Sequence, residues 1–211
     1  MVKDNSFTPK ADKGRDFGTE YKRWYRAYIN KILPNELELQ DTVWDDIRTP
    51  ANNVKLDSVK TPNEVSYKGG LVLSFLHNTN NKIYFNIQVP HNYKLGTNLE
   101  FHNHIVLPAT GTGNVKFIFS YSWAKVGGEF SEETTVNATR DISDDPADTH
   151  LVMPIAPDMD GSGIDGVSSM LLCSLERDVS VDDNYANGVY LLEVDFHYQI
   201  DTMGSRQTYT K

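Results

Sequence analysis

From Thr42 onward the chain alternates apolar and polar residues with a period of two, in short runs cut by turn formers. In Lys82–Val89, Ile83, Phe85, Ile87 and Val89 fall on one side, and Lys82, Tyr84, Asn86 and Gln88 on the other. Val115, Phe117, Phe119, Tyr121 and Trp123 form a second apolar face. Tyr190, Leu192, Val194, Phe196, Tyr198 and Ile200 are expected to form a third. Successive side chains of a strand point to opposite faces, so each run is a half-buried strand. LVLSF, LEFHNHIVL, THLVMPI and VSSMLLCSLE add further strands, and Gly, Pro, Asn and Asp clusters separate them. The spacing predicts eight or nine strands in an all-β, antiparallel two-sheet sandwich. No helix–strand alternation or long repeat is present, which excludes a parallel α/β fold.

The first 41 residues read differently. Phe17, Tyr21, Trp24, Tyr28 and Ile32 recur at helical spacing, with Thr19 placed to cap the start and Pro34 to end the segment. The predicted organisation is an N-terminal arm over residues 1–41 carrying an amphipathic helix at about 17–33, then a β-sandwich over residues 42–211. The stripe either packs on its own domain or docks on a neighbouring subunit. In the docking case Phe17, Tyr21, Trp24, Tyr28 and Ile32 make the apolar contact, and Arg23 and Arg26 add charge.

Charge supports that division. Residues 1–33 hold eight Lys/Arg against four acids, a balance of +4, so of the net −9 the remaining 178 residues carry −13. An acidic body lacks the clustered cations that a nucleic-acid backbone requires, so no nucleic-acid partner is expected. The longest apolar runs are a few residues, so neither a membrane-spanning helix nor an N-terminal secretory leader is expected. Cys173 is the sole cysteine, which excludes an intramolecular disulfide, and its strand context predicts a buried, inert thiol.

The chemistry-bearing residues centre on histidine. Glu100, His102 and His104 lie at i, i+2 and i+4 of one strand and share a face, with Leu99, Phe101, Ile105 and Leu107 on the other. Two imidazoles and a carboxylate suit Zn²⁺, Fe²⁺ or Mn²⁺. Gly96 and the His102-Asn103-His104 triplet match the opening of a cupin metal motif, but Pro108 and Ala109 stand where its glutamate belongs. His197 is the candidate third imidazole, on a strand whose polar face also carries Glu193 and Asp195. The metal candidates are therefore Glu100, His102, His104 and His197, although no metal or other cofactor is expected.

Asp158–Gly163 resembles half of a calcium loop, but Ser169 stands where a full loop places glutamate, so an acidic turn is expected. His91, after Pro90, reads as a turn residue bonding nearby backbone. The acid pairs, Asp45-Asp46 among them, sit beside turn signals and do not form the opposed carboxylates of a glycosidase. No nucleophile elbow, phosphate loop or dinucleotide fingerprint occurs, so no catalytic residues are expected and the chain is read as a non-enzyme. Eleven tyrosines and three tryptophans leave a carbohydrate-binding face open, with Trp123 and exposed tyrosines as its candidates.

Trp44–Pro50 (WDDIRTP), Phe85–Pro108 and Tyr190–Arg206 together resemble a family of tailed-bacteriophage structural proteins. The shared pattern is a Pro-His turn, a Gly-Thr, a strand with His-x-His, and a closing Asp-x-His-Tyr followed by Gly-Ser. The resemblance implies a jelly-roll-like sandwich in the virion, as a head-decoration, head-fibre or tail-associated protein. It also implies a homo-oligomer, a trimer being favoured, and contacts with other virion proteins. It implies no catalysis. The residues themselves leave a carbohydrate-binding, host-recognition module on the same scaffold as the alternative, with a cupin-like metal-dependent enzyme behind it.

Overall fold

A computed structural model describes residues 42–205 and 207–211. Eleven strands follow one another: β1 Val43–Pro50, β2 Lys55–Leu56, β3 Asn63–Tyr67, β4 Gly70–Phe75, β5 Lys82–Gln88, β6 Leu99–Val106, β7 Asn114–Ala124, β8 Thr134–Asp141, β9 His150–Pro154, β10 Met170–Arg177 and β11 Val189–Ile200. They form two antiparallel sheets. One has the order β3-β4-β11-β6-β9 with β1 also paired to β11; the other runs β2-β5-β10-β7-β8. Counted from β4 as first, the sheets read first-eighth-third-sixth and second-seventh-fourth-fifth, which is the strand order of a jelly roll. The expected two-sheet sandwich is therefore the fold.

The core lies between the sheets. Phe101 of β6 stacks on Phe119 of β7 with ring centroids 3.9 Å apart, and Phe85 and Phe196 pack around them. The apolar faces predicted for β5, β6 and β7 supply this core: Ile83, Phe85, Ile87, Leu99, Phe101, Ile105, Val115, Phe117 and Phe119 are buried. Burial of each such side chain contributes roughly 1.5–3 kcal/mol. Cys173 is buried in β10, and that burial pushes its thiol pKa up, as expected for an unreactive cysteine.

β11 departs from strict alternation. Its register against β6 shifts between Leu191 and Glu193, a β-bulge. After the bulge Val194, Phe196 and Tyr198 face the core as predicted; before it Val189 and Leu191 are buried, rather than Tyr190 and Leu192. One extra residue exchanges the two faces, so the expectation for Tyr190 and Leu192 is corrected.

The strand count is also higher than eight or nine. β1 and β8 show little apolar periodicity, since most of their residues are exposed or half-buried, and β2 is only two residues long. Asp45 and Asp46, read as turn-flanking acids, lie within β1. The arm and helix expected over residues 1–41, with Phe17, Tyr21, Arg23, Trp24, Arg26, Tyr28 and Ile32, lie outside the described residues.

Candidate functional site

The polar residues of β1, β11, β6 and β9 share the outer face of one sheet. Across the strands, Arg48 is opposite Asp195 and Asp195 is opposite His102; Glu193 is opposite His104; Asp46 is opposite His197 and His197 is opposite Glu100. Directly opposed residues of antiparallel strands lie about 4.5–5.5 Å apart on one face, so these side chains must meet. The register thus brings His197 beside His102 across a neighbouring strand, while His104 lies opposite Glu193, so only part of the juxtaposition that the sequence pattern left open is formed.

His102 Nε2 stands 2.5 Å from Asp195 Oδ1, and His104 Nε2 stands 3.2 Å from Asp195 Oδ2. The two Nε2 atoms are 3.1 Å apart. His104 Nδ1 meets His150 Nε2 at 2.6 Å. His197 Nε2 lies 3.1 Å from Asp46 Oδ1, and its ring packs edge-on to His102. Arg48 donates two hydrogen bonds to Glu193, at 2.7 and 2.9 Å. Asp195 and His102 are buried, whereas Asp46, Arg48 and His197 reach solvent.

A shallow cavity of about 360 Å³ opens over this cluster, lined by Asp46, Arg48, His104, His150, Leu192, Glu193 and Asp195. Trp44, 45 % exposed, continues the same face of β1 two residues from Asp46. Burial works to keep the His102 ring neutral, but the Asp195 carboxylate and the Glu100 carbonyl prevail and raise its pKa. Burial pushes the Asp195 carboxyl up, and the two histidines overcome it, holding the pKa below the ordinary aspartate value.

Two three-residue groups bring donor atoms within 4.8 Å of one another: His102, Asp195 and His197, and His104, Glu193 and Asp195. Glu100, a candidate by spacing, belongs to neither group; Asp195 supplies the carboxylate. His150 and Asp46 were not singled out from the sequence. His150 opens a short strand with no second histidine nearby, and Asp46 looks like a turn residue, so only register reveals either.

The other candidates separate from this face. His91 meets Ser205 Oγ at 2.5 Å and Ser168 Oγ at 2.9 Å, so its ring contacts hydroxyls rather than the expected backbone. Both ring nitrogens face serine, and among the described residues no carboxylate orients the ring as a triad requires. Trp123 is half-buried against the core and is no open platform. Asp160 caps its own turn by accepting from the Ser162 amide at 2.9 Å, the acidic turn expected there.

No protein-family model matches the sequence, and no curated protein does. Three solved structures illustrate the similarity that does exist. The CBM22-1–GH10 modules of Clostridium thermocellum xylanase 10B, complexed with xylohexaose, are 14 % identical, with 81 % of this chain and 29 % of that one covered and a TM-score of 0.39. A family 11 carbohydrate-binding module from Clostridium thermocellum is 13 % identical, with 81 % and 98 % covered and a TM-score of 0.32. The structure of infectious bursal disease virus Gx strain is 14 % identical, with 75 % and 33 % covered and a TM-score of 0.33. At such scores none of them bears on what this chain binds.

Proposed function

We propose that this protein is a non-enzymatic recognition module whose ligand face is the outer surface of the β1-β11-β6-β9 sheet, and that its ligand is a carbohydrate. The observation that carries this is the open cavity rimmed by Asp46, Arg48, His104, His150 and Glu193, with exposed Trp44 on the same face. Planar charged groups suit pairs of sugar hydroxyls, and an indole face suits the apolar face of a pyranose ring. The cavity is within the size range of small-ligand sites. A glycan array probed with the full chain tests it. Binding of a defined glycan, lost in Trp44→Ala at unchanged thermal midpoint, is expected. No binding across the array, or binding indifferent to Trp44→Ala, overturns it.

A second reading concerns where such a module works. WDDIRTP lies in β1, the His-x-His part of Phe85–Pro108 in β6 and the closing Asp-x-His-Tyr in β11, so these parts of the phage-like segments fall on adjacent strands of one sheet, while Phe85–Gln88 belongs to β5 of the other. On the sequence resemblance we propose a virion component that carries the recognition face outward and assembles as a trimer. Light scattering of the full chain at three times the chain mass, and detection of the protein in purified particles, are the expected results. A monomer absent from particles removes this reading and leaves the glycan proposal standing.

A further inference from the structure

The carbohydrate reading leaves the densest part of the face unexplained. Hydrogen bonding cannot satisfy His102, His104 and Asp195 all at once. Two Nε2 atoms 3.1 Å apart share at most one proton along the line between them, and the nitrogen that accepts it cannot also donate to Asp195. Asp195 Oδ1 is buried and, among the described residues, has no donor aligned with it. His102 Nε2 sits 2.5 Å away, but as a contact and not as a directed hydrogen bond. A buried carboxylate oxygen without a donor costs free energy, so the arrangement calls for a positive centre between the three groups.

The spacing fits a metal ion. Ligand atoms about 2.0–2.1 Å from a tetrahedral Zn²⁺ stand roughly 3.3 Å from each other. His102 Nε2 to His104 Nε2 is 3.1 Å and His104 Nε2 to Asp195 Oδ2 is 3.2 Å, while Asp195 Oδ1 lies nearer His102 Nε2, at 2.5 Å, so Oδ2 is the oxygen whose spacing fits. Charge agrees. Of the described residues lining the cavity, Asp46, Glu193 and Asp195 are acidic and Arg48 alone is a fixed cation, leaving two negative charges for a divalent ion to neutralise. Each Glu193 oxygen accepts from Arg48, which draws on its charge and makes Glu193 a weaker ligand than Asp195. His150 holds the far nitrogen of His104, the kind of outer contact that orients a metal-bound imidazole.

We propose that His102 Nε2, His104 Nε2 and a carboxylate oxygen of Asp195 bind one divalent transition-metal ion of the Zn²⁺ type. Two imidazoles disfavour Mg²⁺ and Ca²⁺, which select oxygen ligands. The ion would tie β6 to β11 at the base of the cavity and leave a coordination position facing solvent. This stands independently of the carbohydrate reading.

The test is titration of the EDTA-treated, dialysed full chain with ZnCl₂ by calorimetry, with MgCl₂ in parallel. One Zn²⁺ per chain and no Mg²⁺ heat are expected. His104→Gln and Asp195→Asn should each weaken Zn²⁺ binding more than about tenfold, and His91→Ala should leave it unchanged. Circular dichroism verifies that each variant is folded. Native mass spectrometry of the wild-type chain reads the bound ion without any variant. No Zn²⁺ bound to wild type, or binding that His104→Gln and Asp195→Asn leave intact, overturns the proposal. Zinc binding without sugar binding supports it while removing the carbohydrate reading; sugar binding without zinc binding does the reverse.

Discussion

Arg177 and Asp183 face each other inside the sandwich as a two-pronged ion pair, with Nε–Oδ2 and Nη2–Oδ1 both 2.8 Å and both side chains fully buried. The remaining Arg177 donors reach the carbonyls of Phe75, Asn187 and Tyr185. The pair thereby ties the end of β10 to the loop entering β11. Removing one partner leaves the other charge buried and unpaired, at a cost of about 3–5 kcal/mol. Asp183→Asn is expected to lower stability by that order in chemical denaturation. A loss under about 1 kcal/mol would show that the three carbonyls alone satisfy Arg177.

Asp178 makes stability depend on acidity. Burial raises its pKa, but Ser180 and the Lys116 ammonium, 2.9 Å away, outweigh burial and hold it below the ordinary aspartate value. A carboxyl with a depressed folded-state pKa contributes stability above its unfolded pKa of about 3.9 and loses it as pH falls through the folded value. Wild type should therefore exceed Asp178→Asn in stability at pH 6, with the gap closing below about pH 4. A gap that is constant from pH 6 to pH 3 would rule out this linkage.

Gly161 allows a close crossing of two loops. A Cβ there would stand 1.7 Å from the Thr97 carbonyl oxygen and 2.5 Å from Tyr93 Oη. Both contacts lie far inside van der Waals separation, and the nearer one is rigid backbone. Gly161→Ala is expected to cost on the order of 3 kcal/mol and to lower the thermal midpoint. Neighbouring Gly163, whose Cβ would meet only the edge of the Trp123 ring at 2.9 Å, should tolerate alanine better. Equal midpoints for the two variants would contradict this.

Asn103 lies wholly buried on β6, and among the described residues neither of its amide atoms has a partner. An unsatisfied buried polar group costs roughly 1–3 kcal/mol. Asn103→Leu, measured in EDTA to exclude any metal contribution, is expected to raise stability by about 1 kcal/mol. A fall of that size would show that the amide contributes to the native state.

Periodicity alone determined the fold class, because alternating burial is written directly into a strand's residue order. Ile83 to Val89, and Val115 to Tyr121, could be assigned to the core for that reason, and Cys173 to an inert site. The His102–His104 pairing on one face was equally legible, since i and i+2 must share a side. What the tertiary structure decided is everything that depends on register between distant strands. Asp195 meets His102 and Asp46 meets His197 only because β1, β11 and β6 lie side by side, 93 and 151 positions apart in sequence for these pairs. The bulge at Leu191–Glu193 reverses which residues β11 buries, a one-residue event that alternation cannot foresee. Pairing partners are set by how two sheets close over one core, a long-range free-energy minimum, whereas facing is set by local backbone geometry.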